Sequence, residues 1–132
     1  MISGVPDAYQ PGRSYDLEVV LRRAGMLRGG FELSARFKGQ GMFPGGQQAG
    51  TLTPADGRTA VVWDTTRHVA YIEHTVSGSA LVDSVGRWRF RWTAPPTAAG
   101  AVVLHVAANA ANDDDSPLGD YIYTRALDIR SR

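Results

Sequence analysis

Between Ser14 and Arg23, Tyr15, Leu17, Val19 and Leu21 alternate with Asp16, Glu18 and Arg22, and Val20 is the one break. A period of two marks a strand buried on one face. Phe31, Leu33, Ala35 and Phe37 repeat the pattern against Glu32, Ser34 and Arg36. Thr59 to Trp63 predicts a strand after the Pro54-Ala55-Asp56-Gly57 turn. Val69 to Val76 predicts another, with Ala70, Ile72, His74 and Val76 on one face and Tyr71, Glu73 and Thr75 on the other. The strictest alternation runs from Arg87 to Trp92: Trp88, Phe90 and Trp92 face one way, Arg87, Arg89 and Arg91 the other. Pro95-Pro96 ends it, because proline cannot extend a ladder. Val102 to Ala108 reads as a buried strand holding His105, and Tyr121 to Ile129 as the last.

Turn signals separate these runs: Tyr9-Gln10-Pro11-Gly12, Gly25 to Gly30, Gly39 to Gly50, Gly100, and Asn109 to Gly119. In the glycine-rich stretch, Met42 and Phe43 either fold back onto the core or form an exposed apolar tip. Ala107 to Asn112 is short and asparagine-bearing, a weak candidate for a helix. Seven or eight short strands without a helical period argue an all-β sandwich. No internal repeat or low-complexity linker divides the chain, so residues 1–132 read as one domain.

Composition narrows the function classes. The 132 residues suit one domain and carry 14 Lys+Arg against 13 Asp+Glu. That balance gives no generic polyanion surface and argues against nucleic acid as a partner. Zero cysteine excludes a disulfide framework, a thiolate zinc site and a cysteine nucleophile. No run approaches the roughly 20 apolar residues of a membrane span. Met1 to Gly4 has neither the basic start nor the apolar core of a signal peptide. The literal reading is a cytoplasmic protein, but Gly4-Val5-Pro6 runs straight into domain-like sequence, which favours a start trimmed just upstream of the domain; any export signal or anchor must then come from outside these residues.

Several stretches, in order, resemble a known family: Phe31-Glu32-Leu33-Ser34-Ala35-Arg36, Gln48 to Leu52, Tyr71 to Thr75, Trp88 to Pro95, Val103 to Asn112, and Gly119 to Thr124. Together they resemble the Reelin-type (Reeler) domain in the bacterial form found in choice-of-anchor V surface proteins. The resemblance covers essentially the whole chain. It implies an immunoglobulin-like antiparallel sandwich of about 7–9 strands, exported, not an enzyme, and working in matrix, adhesion or surface proteins. The animal domains carry cysteines that this chain lacks, which fits the bacterial form.

Four constellations could carry chemistry. Asn109, Asn112, Asp113, Asp114, Asp115 and Asp120 crowd oxygen ligands into one loop, a composition that suits calcium. The alternative is a solvated loop with Asx-type turns. His74 and His105, on neighbouring strands, could bind a transition metal or sense pH; a histidine such as His105, between Leu104 and Val106, is more often a satisfied core or interface histidine. Glu32 and Glu73 are conceivable as a carboxylate pair of unknown separation. No G-x-S-x-G occurs, so no serine-nucleophile elbow is expected. Arg87, Arg89 and Arg91 project from one strand face, with Arg36 or Lys38 possible neighbours. Such a row grips sulfate, phosphate or carboxylate oxyanions, or it pairs with Asp16, Glu32 or Glu73 across strands.

The expectation is a non-catalytic, extracytoplasmic binding or structural module (secreted, periplasmic or at the cell surface) that recognises a protein or a glycan without a cofactor, calcium at the acidic loop excepted. The alternative is a peripheral accessory subunit of an extracytoplasmic membrane complex, redox or photosynthetic.

Overall fold

The structure is a computed structural model, and it describes residues 1–39, 45–111 and 121–132. Ten strands follow one another: β1 Ile2–Ser3, β2 Ala8–Tyr9, β3 Ser14–Arg22, β4 Arg28–Phe37, β5 Thr51–Pro54, β6 Thr59–Asp64, β7 Val69–His74, β8 Val85–Thr93, β9 Val102–Ala111 and β10 Tyr121–Ser131. They form a four-stranded sheet, β1-β3-β8-β5, and a six-stranded sheet, β2-β10-β9-β4-β7-β6. The all-β, two-sheet prediction holds, and no helix occurs among the described residues.

The alternating runs became strands because one face of each could be buried. Leu17, Val19 and Leu21 of β3 and Trp88, Phe90 and Trp92 of β8 point into the sandwich, all at most 3% exposed. From the other sheet, Phe31 lies 5.2 Å from the Trp88 ring and 5.7 Å from Phe90. Such aromatic packing anchors a core through area and ring electrostatics together. Both buried indoles keep a hydrogen-bond partner, as burial requires. Trp88 Nε1 donates to the Gly78 carbonyl and Trp92 Nε1 to the Ala49 carbonyl, each at 2.9 Å. These bonds tie two loops to the core. Gly50 makes one of those loops possible: its φ is +76°, and a Cβ there would fall 2.2 Å from the Thr93 carbonyl oxygen.

Local pattern misjudged several places. The strand expected over Val102 to Ala108 runs on to Ala111, so Asn109 to Ala111 belong neither to the expected loop nor to a helix, because β9 is pinned between β4 and β10: Ala107 pairs with both Glu32 and Thr124, and Ala110 with both Gly29 and Tyr121. Two flanking ladders outweigh a weak helix preference. β4 begins at Arg28, inside the expected turn, so Gly29 and Gly30 are strand residues. β5 went unpredicted because only Leu52 of its four residues is buried. Val76 lies beyond the end of β7 and is 90% exposed, so it does not share a buried face with Ile72. Met42 and Phe43 lie outside the described residues.

Candidate functional site

The arginine row lies on the outer face of the four-stranded sheet, and the ladder between β3 and β8 sets its partners. Glu18 is directly opposite Arg89, Asp16 opposite Arg91, and Val20 opposite Arg87. Arg89 Nε donates to Glu18 Oε2 at 2.8 Å and Arg91 Nε to Asp16 Oδ1 at 3.0 Å; Arg87 reaches diagonally to Glu18 Oε1 at 3.4 Å. The bond to Glu18 raises the already high pKa of Arg89. Arg89 and Arg91 each spend Nε on this pairing. Their terminal Nη groups make no hydrogen bond to any described residue, and these ends are the fork that binds oxyanions in pairs.

Beside the row lies an open groove of about 450 Å³ lined by Asp56, Arg58, Val82, Val85, Arg87 and Arg89. Arg58 serves the fold here: its guanidinium donates to the Arg87 and Gly78 carbonyls at 3.2 and 3.1 Å and lies 6.0 Å from the Trp88 ring. The expected neighbours Arg36, in β4 of the other sheet, and Lys38, just past its end, are engaged there: Arg36 bonds Tyr71 and Lys38 pairs with Asp128. Glu32 and Glu73 are there too, so the partners of the arginines are Glu18 and Asp16.

The six-stranded sheet carries the remaining candidates. Glu32 and Glu73 stand directly opposite one another on β4 and β7. They edge a shallow open groove of about 320 Å³ with His74, Asn109 and Ile122. Neither carboxylate is buried. His74 and His105 are not brought together. β4 separates their strands, a gap of roughly 10 Å at two inter-strand spacings. His105 lies exposed opposite Ser34, whereas the His74 ring sits three residues away along β4 with Nδ1 3.2 Å from the Phe31 amide. Among the described residues no group of three or more histidines and carboxylates is placed to hold a metal ion. Of the acidic loop, only Asn109 is described, exposed on β9 opposite Gly30 and Ile122. Asn112, Asp113, Asp114, Asp115 and Asp120 lie outside the described residues.

Sequence reading missed a row of exposed apolar residues on β6: Val61, Val62 and Trp63, 40%, 45% and 53% exposed. A run of β-branched and aromatic residues was the available signal, but it reads identically for a covered strand and an open edge.

The arrangement defines a two-sheet β-sandwich whose charged and apolar features lie on open faces and edges. Among known proteins, the chain has the fold of the reeler domain. The human F-spondin reeler domain matches with a TM-score of 0.63 at 21% identity, covering 99% of this chain and 85% of that one. The Reelin-N domain of F-spondin matches at 0.60 and 22%, covering 99% and 83%. A cohesin module from a Clostridium perfringens family 33 glycoside hydrolase matches at 0.57 and 11%, covering 100% and 96%. At these identities the likeness is one of fold. No family model and no curated protein sequence matches the chain. No helix among the described residues is long and apolar enough to cross a membrane.

Proposed function

We propose that this chain is a Reelin-type contact module of the bacterial form, non-catalytic and working outside the cytoplasm, at the cell surface or in the periplasm. Its binding surface is the outer face of the four-stranded sheet, and its partner is a glycan or protein bearing sulfate, phosphate or clustered carboxylates. The whole-chain likeness to reeler domains supports the module. The observation that carries the binding reading is the unspent Nη ends of Arg89 and Arg91 on an open face. That face also holds Arg22 and Arg87, so its four guanidiniums outnumber the carboxylates of Asp16 and Glu18. Exposed ion pairs contribute little to stability, so a substitution there tests binding without unfolding the domain.

The test uses dextran sulfate as a polysulfated probe. The wild-type protein should bind it with an affinity that falls steeply with salt. The Arg89→Ser/Arg91→Ser variant should lose most of that binding while keeping its melting temperature. Equal affinity and equal salt dependence in the two proteins would show that the row is only a solvated face. Recovery of stoichiometric membrane proteins with the native protein, in a gentle pull-down, would favour the accessory-subunit reading instead.

A further inference from the structure

The sandwich has four sheet edges, and they are unequal. β1 and β2 are two residues each, and β5 is a four-residue strand ending at Pro54. Short edge strands and an edge proline are common devices that stop one sheet from adding to another. β6 has neither. It is six residues, Thr-Ala-Val-Val-Trp-Asp, free of proline, glycine and lysine. Among the described residues, only β7 pairs with it. Its Val61, Val62 and Trp63 are 40%, 45% and 53% exposed, against 0% for Trp88 and Trp92. Val61 pairs with the core residue Ile72, so Val61 and Trp63 lie on the inner face of the six-stranded sheet. There they overhang the opposing sheet, whose nearest strand is the short β5. Val62, one residue out of phase, faces outward.

We propose that β6 is a self-association edge: a second copy of this chain adds its own β6 antiparallel, so that the two six-stranded sheets run on as one. The chain itself argues for a second copy. A two-fold axis perpendicular to a sheet keeps inner faces inner, so the only allowed registers are those centred on a residue. Centring on Val62 sets Val62 against Val62 of the second copy, and Val61 of each copy against Trp63 of the other. Every exposed apolar side chain of β6 then gains an apolar partner, and valine–tryptophan is a favourable cross-strand pair. Centring on Val61 sets Trp63 against Thr59 instead.

Charge supports the antiparallel sense. Asp56 lies in the turn before β6, and Arg67 and His68 in the turn after it, so antiparallel addition brings Asp56 of each copy beside Arg67 and His68 of the other. The two charges that oppose this pattern are turned elsewhere. Arg58 is bonded inward to Gly78 and Arg87, and the Asp64 carboxylate is held in its own turn by the amides of Thr66 and Arg67 and by Arg67 Nη1, whose side chain remains 66% exposed to a second copy. A six-residue edge falls short of the roughly 800 Å² per partner of a stable interface. The dimer is therefore concentration-dependent.

The experiment is sedimentation equilibrium of the full chain from low micromolar to millimolar concentration, with acrylamide quenching of tryptophan over the same range. Trp63 is the one exposed tryptophan, so it dominates the quenching. The weight-average mass should rise from 14.2 kDa toward twice that value, and the quenching constant should fall in step. Val62→Lys, an outward-facing edge substitution, should hold the mass at 14.2 kDa with an unchanged circular dichroism spectrum. If that variant misfolds, Trp63→Thr should show the same loss of dimer. A wild-type mass that stays monomeric, a dimer that Val62→Lys forms equally well, or a mass that doubles with no protection of Trp63 would each overturn the proposal.

Discussion

The His74 ring fills the space over Gly30: a Cβ on Gly30 would fall 2.2 Å from His74 Cε1. The same ring places Nδ1 3.2 Å from the Phe31 amide, so that the N–H donates to it. β4 and β7 pair directly only over Glu32 to Ser34, and the imidazole continues the contact where the ladder stops. Gly30→Ala should displace the ring and destabilise the domain by about 1–2 kcal/mol, the cost of a lost, partly buried bond and a shifted neighbour. In a His74→Ala background the same substitution should cost far less. Urea denaturation of the two single variants and the double variant measures this coupling. Strict additivity would mean that the ring and Gly30 are energetically independent.

Trp88 binds the sheets together and also holds the loop at Gly78. Trp88→Ala should cost about 3–5 kcal/mol, the range for deleting a large aromatic from a core. Trp88→Phe should cost less in cavity but leave the Gly78 carbonyl without its indole donor. Hydrogen exchange should then rise at the Gly78 and Ser79 amides, whose turn bonds to Thr75 and Val76 depend on that loop staying in place. Equal exchange in wild type and Trp88→Phe would dissociate the indole bond from the loop.

Asp64 organises the turn between β6 and β7. Its Oδ1 accepts from the Thr66 and Arg67 amides at 2.9 and 3.0 Å, and its Oδ2 from Arg67 Nη1 at 3.1 Å. The bond from the Arg67 backbone is the main cause holding its carboxyl below the usual 3.8. Because the folded value is depressed, the contribution of Asp64 to stability is fully present above the unfolded carboxylate value. It is lost as pH falls through the lower folded one. A carboxyl-carbon NMR titration should therefore give Asp64 a midpoint below 3.8. In Asp64→Asn the acid arm of the stability profile should flatten in that window. A midpoint at or above the usual value would show that the turn bonds do not persist in solution.

Glu18 restrains two arginines at once, at 3.4 Å for Arg87 and 2.8 Å for Arg89. Glu18→Gln removes the anion and keeps the shape. It should change stability by less than about 1 kcal/mol, as exposed pairs do. It should also tighten binding to dextran sulfate and steepen its salt dependence, since the one carboxylate charge that competes for Arg87 and Arg89 is removed. Retention on a dextran sulfate matrix across a salt gradient reads this directly. Weaker retention of the variant would mean that Glu18 preorganises the row rather than competing with the ligand.

Strands β3, β4, β8 and β9 were legible because each carries its own evidence: alternation between buried and solvated positions is a local property, and one face of each strand was long enough to show it. The direction of Trp88, Phe90 and Trp92 inward, and of Arg87, Arg89 and Arg91 outward, follows from strand geometry alone. What stands opposite them does not. Glu18 rather than Glu73 neutralises Arg89 because β8 lies beside β3 in one sheet while β7 belongs to the other, and sheet membership is set by how distant strands bury their faces together. The same holds for His74 and His105, adjacent in expectation and separated by β4 in the fold. It holds equally for β6, whose residues specify a strand but not that β7 is its only partner among the described residues. Local chemistry determined which residues form strands and which side of each is apolar; partners, edges and the faces left bare came from long-range packing, because those relations join residues that the chain keeps far apart.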